Sequence, residues 1–564
     1  MNRIALRVVF ASALIWIAAL TQRGLPLAVD EVEFFRATKW IGEGQMPFRD
    51  FWEHHTPLQW VVFAPVAPLI ANGPGAEAIV AMRWAQMALW IAIFAVLVRI
   101  ARREGVDPWS AIVLLLVSTS FIRKAIEYRV DVLGNLAYLG AVALIVFGAT
   151  TKRWIAFGAL MAAAVLANMR LAPLVVITAL LAMFWRGEER RWRWNVRAWW
   201  MIAGVVPIAA AFVGWLYATG AWLSFVDGVL RYNETSARLL EVDTFFDALL
   251  TPLWTFDIGG IAFLMAAIAG AVLVLRKPGP LQFIAFLVIG SIATIALMEV
   301  QYDYHFQNAY LLMAPLAAFA LARVRLLPLV AAGALSVFLI QALPSFGNAM
   351  EYQDAVMTTA DRLTKPAEKV FDGAGFALRR EPAYRYWFLT TGVRFMAARG
   401  LLEPFDIEKE PPAAIIYDYR AALYLRDFPR VAEYATTHYV PVYRNLWVPG
   451  MTAIGSSVWV VPRAGTYDLW ASDALLNHPW LTKPLEYAAV EGPLATRYAI
   501  PLAKLPPSPV DVTVDGAAQP LGTRTLTLKR GSRVEVASLR RTGILLVPRG
   551  IGTLCIAPAE ERVF

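Results

Sequence analysis

The sequence predicts a polytopic α-helical membrane protein with a soluble region at its C-terminal end. Hydrophobic residues make up 58% of the 564 residues, and the mean hydropathy of +0.52 is too high for an ordinary soluble globular protein. Apolar runs of about 20 residues, long enough to cross a hydrocarbon core of about 30 Å, recur from Ile4 to about Pro344. They then stop, and about 220 residues of mixed sequence follow.

The apolar runs of residues 1–345 predict about eleven membrane spans. Short loops rich in Arg and Lys alternate with acidic loops, and because basic loops favour the cytoplasm, the acidic ones should face outward. The run 58–70 contains Pro65 and Pro68 and is short for a span, so we expect it to lie in the outer interface. The first outer loop is then 23–78. The predicted spans are 4–22, 79–100, 109–123, 132–149, 155–170, 171–185, 198–217, 258–275, 281–299, 306–322 and 326–343.

The C-terminal region is predicted to lie outside and to contain two domains. Residues 346–464 mix helical stretches (351–363 and 383–398) with short apolar strands (413–417 and 458–461), which predicts a small α/β domain. Residues 465–564 contain alternating runs separated by Gly, Pro and Asp-Gly, which predicts an antiparallel β-sandwich-like domain. These runs are 510–514, 523–528, 533–537 and 543–547.

Charge and cysteine content exclude several classes of function. The net charge of +9 comes mostly from Lys and Arg in short loops between apolar runs, where they act as orientation signals, so nucleic-acid binding is not expected. The single cysteine, Cys555, excludes an internal disulfide and a thiolate metal cluster. Arg3 and Arg7 before an apolar run resemble a signal peptide, but residues 21–23 are a poor cleavage site, which predicts a retained first span.

The first outer loop carries more ionisable groups than an anchoring segment requires. Two adjacent carboxylates follow the first span, and a histidine pair lies near the end of the loop. Ionisable groups at membrane depth cost a few kcal/mol, so they tend to face polar cavities and mark function. For any one of them, a solvated interfacial loop is an equally good explanation. The groups that map to outer edges are Asp30, Glu31, Glu53, His54, His55, Asp131, Asp303 and His305.

The order of these motifs resembles the GT-C glycosyltransferases. The motifs are VDE at 29–31, GEGQMPFRD at 42–50, EHHTPL at 53–58, EYRVD at 127–131 and YDYHF at 302–306, the last before a span that contains Pro315. The nearest branch holds the protein O-mannosyltransferases, the lipid A aminoarabinose transferases and their bacterial relatives. The resemblance covers about residues 1–345. Thr56 stands where the family usually has Pro, and Arg170 lies where a Lys is common, which leaves the subfamily open.

The resemblance implies an inverting enzyme that moves a sugar from a polyprenyl-phosphate carrier to an extracytoplasmic acceptor: a glycolipid, a polysaccharide or a protein hydroxyl. Asp30 matches the family's general base, which removes the proton of the attacking hydroxyl. Glu31 would position the acceptor or share that proton. Asp131 matches the second acidic position and would bind acceptor or organise the cavity. Glu53, His54 and His55 are assigned to the same cavity.

The leaving phosphate needs a cation or hydrogen-bond donors beside it. Arg170 is the first candidate, although for any single arginine a snorkelling role at the interface is the simpler explanation. His55 and His305 could donate to phosphate or sugar; alternatively, with carboxylates, they could bind a divalent metal, and their spacing leaves both choices open. The remaining candidates for the donor phosphate are Arg129, Lys39 and Arg231.

The expected location is the cytoplasmic (inner) membrane of a bacterium, with the active site and the C-terminal domains facing the periplasm. A lipid or polysaccharide transporter (a flippase) is the alternative, but it should concentrate ionisable residues near the bilayer midplane, whereas here they gather at one face. A scaffold that binds a partner through its external domain would leave Asp30 dispensable. The external domains show no catalytic motif and are assigned to acceptor recognition or to cover over the cavity.

Overall fold

The computed structural model describes residues 2–70, 73, 75–239, 246, 249–276, 278–298, 302–322, 327–342, 350–443, 445–477, 499–502, 505, 507–538, 541–551 and 553–555. The chain separates into two compact units. The first comprises Met1–Pro26, Phe34–Gly73 and Glu77–Met350, and the second comprises Leu27–Glu33, Pro74–Ala76 and Glu351–Phe564. Two short pieces of the first outer loop therefore belong with the C-terminal region.

The first unit is a bundle of apolar helices joined by short helical turns. Its longer helices are Asn2–Ala19, Glu77–Arg103, Trp109–Leu116, Thr119–Ile126, Val130–Ile145, Thr151–Ala167, Ala172–Phe184, Met201–Ala218, Ile258–Leu275, Pro280–Ala296, Gln307–Leu321 and Leu327–Ala342. The connecting elements are Leu20–Gly24, Leu58–Phe63, Ala67–Ile70, Met169–Leu171, Val196–Trp200, Trp222–Phe225, Val226–Arg231, Tyr232–Leu239, Thr251–Trp254 and Asp303–Phe306, with a hairpin of Trp185–Arg186 and Arg191–Trp192. The helix Val29–Gly42 begins in the second unit and continues in the first.

Three of these helices are long and apolar enough to cross a membrane, and two bent helix pairs raise that number to five among the described residues. The chain is therefore a multi-pass membrane protein, as its composition predicts, while the number of eleven crossings stays a prediction. The span predicted at 109–123 is not one straight helix. It consists of two helices bent by 77°, because the side chain of Ser118 caps the second helix by accepting a hydrogen bond from Phe121 N–H and donates to Asp257 at 2.7 Å.

Close packing joins two of the helices of the first unit. A Cβ atom at Gly158 would overlap the carbonyl oxygen of Met201, and one at Gly204 would overlap that of Ile155. Thr151–Ala167 and Met201–Ala218 can therefore approach only because both positions are glycine. On the other side of the bundle, the buried hydroxyls of Tyr138 and Thr178 lie 2.7 Å apart and bond the two helices that bear them.

The second unit contains a seven-stranded sheet with helices, as the predicted α/β domain requires. Strand order is Ala499–Pro501, Thr553–Cys555, Tyr439–Tyr443, Leu446–Pro449, Ala414–Ile416, Lys369–Asp372 and Glu381–Pro382. The helices are Glu351–Leu363, Thr391–Ala398, Tyr419–Asp427 and Pro429–His438, with a short turn at Asp473–Asn477. The helix predicted at 383–398 begins later than predicted, because the Thr390 side chain caps its first turn by accepting from Val393 N–H.

Two four-stranded antiparallel sheets share one apolar core in the same unit. One sheet has the order Thr525–Leu528, Gly465–Ser472, Gly543–Pro548 and Met451–Ile454; the other has Ala517–Ala518, Asp511–Val514, Arg533–Ala537 and Ser457–Val460. The side chains of Trp459, Tyr467 and Ile544 meet between them, which is a sandwich arrangement. Strands 451–454 and 457–460 pair with strands beyond residue 464, so sheet pairing crosses the predicted domain boundary.

Candidate active site

Asp30 lies in the first turn of the helix Val29–Gly42 and forms an ion pair with Arg420. The distance from Asp30 Oδ1 to Arg420 Nη2 is 3.7 Å, and the two side chains are 27% and 12% exposed. Burial alone would lower the pKa of Arg420, but the pKa is raised because Tyr419, Asp30 and Glu33 interact with it. The side chain proposed as general base is therefore held beside a positive charge from the C-terminal region.

Hydrogen bonds from the helix Glu351–Leu363 hold the segment that carries Asp30. The side-chain amide of Gln353 accepts from Leu27 N–H at 2.8 Å and donates to the Leu27 carbonyl at 3.0 Å. Asp354 accepts from Ala76 N–H at 2.8 Å. A buried loop backbone needs hydrogen-bond partners for its N–H and C=O groups, and these side chains supply them. Hydrogen bonds within the second unit thus fix the start of the helix that bears Asp30.

Glu31 is buried and closes the first turn of the same helix. Its Oε2 accepts from Ala28 N–H at 3.1 Å, and its own N–H donates to the Ala28 carbonyl at 3.0 Å. This reciprocal pair has the logic of a capping box. One carboxylate oxygen of Glu31 therefore helps to form the helix that bears Asp30, while its predicted contact with the acceptor stays a prediction.

In the first unit, polar side chains from four helix ends line a small cavity of about 30 Å³. Asp131, in the first turn of Val130–Ile145, accepts from Arg129 Nε at 3.0 Å and from Asn168 Nδ2 at 2.7 Å. Asn168 in turn accepts from the backbone N–H of Arg170 at 3.1 Å. The polar residues of the lining are Asp131, Asn135, Asn168, Arg170, Ser291, Thr294, Tyr304, His305, Gln307 and Asn308.

Two arginines contact the ring of Tyr304 but differ in their ion pairs. Arg129, 2% exposed, bonds Glu127 at 3.1 Å as well as Asp131, and its guanidinium lies 4.1 Å from the Tyr304 ring centre. Arg170 donates to the Tyr304 hydroxyl at 3.4 Å and, within the described residues, has no carboxylate at ion-pair distance. The charge of Arg129 is therefore taken up by its two carboxylate partners, whereas the charge of Arg170 is available to an anionic ligand.

Three neighbouring residues of this cavity have buried polar atoms without a hydrogen-bond partner in the part of the chain that the structure describes. They are His305 Nε2, both side-chain amide atoms of Gln307, and Asn308 Oδ1. Burial and the charges of Arg170 and Arg129 lower the pKa of His305 well below its ordinary value. Its Nδ1 accepts from Tyr302 N–H at 3.3 Å, so the neutral ring carries its proton on Nε2 and can donate there.

Three of the cations predicted to hold the donor phosphate are not among the residues that line this cavity. Arg129 lies beside it through its bond to Asp131, and the other two are Lys39 and Arg231. Lys39 pairs with Glu43 one turn along its own helix at 2.7 Å. Arg231 pairs with Asp227 at 2.6 Å and is 74% exposed. In both cases the i,i+4 spacing on a helix supplies a local carboxylate. The structure thus brings Arg170, Arg129 and His305 together and leaves Lys39 and Arg231 apart from them.

Glu53, His54 and His55 form a second buried group, in the middle of the first outer loop, and the charge of Arg170 acts on His54. Glu53 Oε1 lies 3.4 Å from His54 Nδ1 and 3.1 Å from His55 Nδ1. Burial alone would raise the pKa of Glu53, but hydrogen bonds from the two histidines lower it to about 2. Burial and His55 lower the pKa of His54 to about 4. Trp52 stacks on His54 with ring centres 5.2 Å apart.

This group fits a divalent metal better than His305 does. One ligand atom from each of Glu53, His54 and His55 lies within 4.8 Å of the others. Glu53 Oε2 is buried and has no hydrogen-bond partner among the described residues. Two imidazole nitrogens and a carboxylate are a donor set that suits Zn²⁺ and similar ions. Of the two histidines named for the metal alternative, only His55 belongs to such a group.

Several residues of the cavity and of the surroundings of Asp30 were not predicted from the sequence. Gln307 and Asn308 directly follow the YDYHF motif at the start of an apolar helix, and this polar pair was a readable signal. Asn168, two residues before Arg170, was another. Arg420 gave no signal, because its partner Asp30 lies in a distant part of the sequence and the helix that carries Arg420 looks like an ordinary amphipathic helix.

No family model and no curated protein sequence matches the chain. Solved structures do match. ArnT from Cupriavidus metallidurans bound to undecaprenyl phosphate superimposes with a TM-score of 0.54 and 14% sequence identity, over 80% of this chain and 95% of that chain. The same protein in the apo state gives a TM-score of 0.55 and 15% identity, over 78% and 97%. The GT-C fold that the motifs implied is therefore confirmed.

Proposed function

We propose that the protein is an inverting integral-membrane glycosyltransferase that moves a sugar from a polyprenyl-phosphate carrier to an acceptor hydroxyl outside the cytoplasm. One observation carries this proposal: the cavity of the first unit combines Arg170, which has no carboxylate at ion-pair distance within the described residues, with buried donors that have no hydrogen-bond partner there. A buried site of this kind suits an anion. The fold supports the choice of anion, because ArnT with the same fold was solved with undecaprenyl phosphate bound.

The cavity residues would act on the leaving phosphate. As the bond between the anomeric carbon and the phosphate oxygen breaks, negative charge grows on that oxygen. Arg170 would supply a charged donor, and His305 Nε2–H and the Gln307 amide would supply neutral ones. Arg129 would hold Asp131 and the Tyr304 ring in place, since its own charge is matched by Glu127 and Asp131.

Asp30 would act on the acceptor. Its carboxylate takes the proton from the acceptor hydroxyl as the hydroxyl oxygen forms a bond to the anomeric carbon. The electron pair of the broken bond leaves with the polyprenyl phosphate, so no oxidant is needed. The configuration inverts because the hydroxyl attacks the face of the anomeric carbon opposite the leaving phosphate. Glycolipids, polysaccharides and protein hydroxyls all offer this group. The inner membrane of a bacterium, with the site facing the periplasm, is the matching location.

Sugar transfer by the purified protein in nanodiscs tests this proposal. Radiolabelled polyprenyl-phosphate sugars are supplied with envelope acceptors, and wild type is compared with Asp30→Asn at equal abundance. We expect transfer to fall at least about 100-fold in Asp30→Asn. Asp107→Asn is the matched control. Asp107 lies beside the start of an apolar helix and accepts from Trp109 N–H, but its loop is predicted to be cytoplasmic, so the variant should keep full activity.

Two outcomes would contradict the proposal. Undiminished transfer by Asp30→Asn would exclude Asp30 as the base. Failure of the wild type to transfer any donor sugar, together with movement of labelled lipid between the leaflets of vesicles that contain it, would favour the transporter.

A further inference from the structure

The side chain of Arg420 is held by contacts that leave part of it available to Asp30. Its guanidinium lies 4.0 Å from the centre of the Phe388 ring, and its Nε donates to the Tyr419 hydroxyl at 2.8 Å. Nη2 faces Asp30 Oδ1, and Nη1 is buried with no hydrogen-bond partner among the described residues. A stacked and anchored guanidinium loses little further freedom when it binds a carboxylate.

The backbone that presents Arg420 is also anchored. Asp418 caps the helix Tyr419–Asp427 by accepting from Arg420 N–H at 2.8 Å and Ala421 N–H at 2.9 Å. Its second oxygen accepts from Gly373 N–H at 2.8 Å and from Ala374 N–H at 3.1 Å. The second residue of this helix is thus placed with respect to two strand ends of the seven-stranded sheet.

We propose that Arg420, a residue of the C-terminal region, is a positioning residue of the transfer reaction that keeps Asp30 ionised and oriented. This inference rests on the proposed function. It also assigns the C-terminal region a part in the chemistry, beyond acceptor recognition or cover. A general base works only while it is unprotonated, and a cation beside a carboxylate disfavours protonation.

The charges that face Asp30 within its unit define the expected effect. The cation beside Asp30 is Arg420, and the Tyr419 hydroxyl accepts a hydrogen bond from it. Two carboxylates, Glu31 and Glu33, follow Asp30 on its own helix. Neighbouring carboxylates disfavour the ionised form of Asp30, so Arg420 opposes them. Removing the cation, which lies 3.7 Å from Asp30, should move the acid limb of the pH profile to higher pH by about one unit. We expect the lower end of the range for a carboxylate beside a cation, because Asp30 is partly exposed to solvent.

The experiment compares wild type, Arg420→Gln and Arg420→Lys in nanodiscs. The kcat/KM of transfer is measured against pH, and so is the labelling of Asp30 by a carbodiimide, which reacts with protonated carboxyls and is followed by peptide mass spectrometry. We expect both midpoints to rise by about one pH unit in Arg420→Gln and to return close to wild type in Arg420→Lys, which keeps the charge. An Arg420→Gln protein with unchanged midpoints would overturn the proposal.

Arg394→Gln is the control for general damage. Arg394 is a buried arginine of the same unit with an ion pair to Asp427 at 2.9 Å, so its loss should lower stability and leave the midpoints unchanged. If Arg420→Gln does not fold, Tyr419→Phe replaces it: loss of the bond to Arg420 Nε should shift both midpoints upward by a smaller amount, and no shift would count against the proposal. If the wild type transfers no sugar, the proposed function fails, and the labelling midpoints still decide whether Arg420 keeps Asp30 ionised.

Discussion

Two buried polar clusters, one in each unit, differ in how fully their hydrogen bonds are made. The acidic loop cluster of the second unit consists of Asp372 and Asp418. Its carboxylates accept from six backbone N–H groups, two at Asp372 and four at Asp418. The cavity cluster of the first unit consists of His305, Gln307 and Asn308. Each of these residues keeps at least one buried polar atom without a partner among the described residues.

The difference distinguishes a structural cluster from a candidate binding site. A buried polar group with all its bonds made contributes to stability, whereas one without partners costs about 1–3 kcal/mol until a ligand or water satisfies it. The sequence shows both clusters as short polar stretches beside apolar ones. Substitutions should therefore lower the free energy of unfolding in the acidic loop cluster and lower ligand binding or transfer in the cavity cluster.

The largest effect is expected for Arg170→Gln, which removes the cation at the cavity cluster. Transfer should fall by about 100-fold to 1,000-fold, since a charged donor to the leaving group is lost. The thermal unfolding midpoint should change little, because Arg170 has no carboxylate at ion-pair distance in the described residues. Arg380→Gln is the matched control: Arg380 is buried and donates to Thr364 and to the Asp361 carbonyl, so stability should fall. Equal losses of stability in the two variants would show that Arg170 has a structural role like that of Arg380.

Asp418→Ala should lower the free energy of unfolding of the second unit by about 3 kcal/mol or more. It leaves four backbone N–H groups without their acceptor, three of them in buried surroundings, and each such group costs about 1–3 kcal/mol. Denaturant unfolding of the whole protein, followed by tryptophan fluorescence, measures this loss. Asp406→Ala is the control, because Asp406 is exposed and accepts from Lys409 N–H alone, and it should cost less than 1 kcal/mol. Similar costs at both positions would show that acceptor count does not set stability here.

Glu53→Gln should weaken divalent-metal binding by about tenfold or more. Glu53 Oε2 is another buried atom without a hydrogen-bond partner among the described residues, and removing a carboxylate ligand from a set with two imidazoles lowers affinity. Zn²⁺ binding to chelator-treated protein, followed by calorimetry, measures the effect. Glu43→Gln serves as the control because Glu43 is exposed and pairs with Lys39. Equal Zn²⁺ affinity in wild type and both variants would exclude the site.

The smallest effect is expected from two glutamines that are equally buried but differently bonded. Gln307→Leu should leave the free energy of unfolding unchanged or raise it by about 1 kcal/mol, since it removes an amide without partners. Gln353→Leu should lower it by about 1–3 kcal/mol, because Gln353 bonds both backbone groups of Leu27. Thermal unfolding with and without polyprenyl phosphate measures both, and only Gln307→Leu should reduce stabilisation by the lipid. A loss of stability in Gln307→Leu would show that its amide is satisfied.

Local pattern was sufficient for most of the fold. Each predicted apolar run coincides with a helix or helix pair, and the strands 511–514, 525–528, 533–537 and 543–548 lie where alternation predicts them. The bend at Ser118 and the late start of the helix at Thr391 were missed. In both cases one side-chain hydrogen bond to a backbone N–H ends or begins a helix within a run whose hydrophobicity is continuous.

The sequence by itself determined the class of the protein, its apolar helices, the GT-C resemblance and the presence of carboxylates and histidines in the first outer loop. These follow from composition, from the periodicity of hydrophobic residues and from the order of motifs, all of which can be read along the sequence. Only the tertiary structure decided that Arg170 lines the cavity while Lys39 and Arg231 pair with local carboxylates, and that Arg420 meets Asp30. It also decided that the side-chain amide of Gln307 and the Oδ1 of Asn308 are buried with no partner among the described residues. Such contacts depend on which side chains burial brings together from distant segments, and local sequence patterns do not specify them.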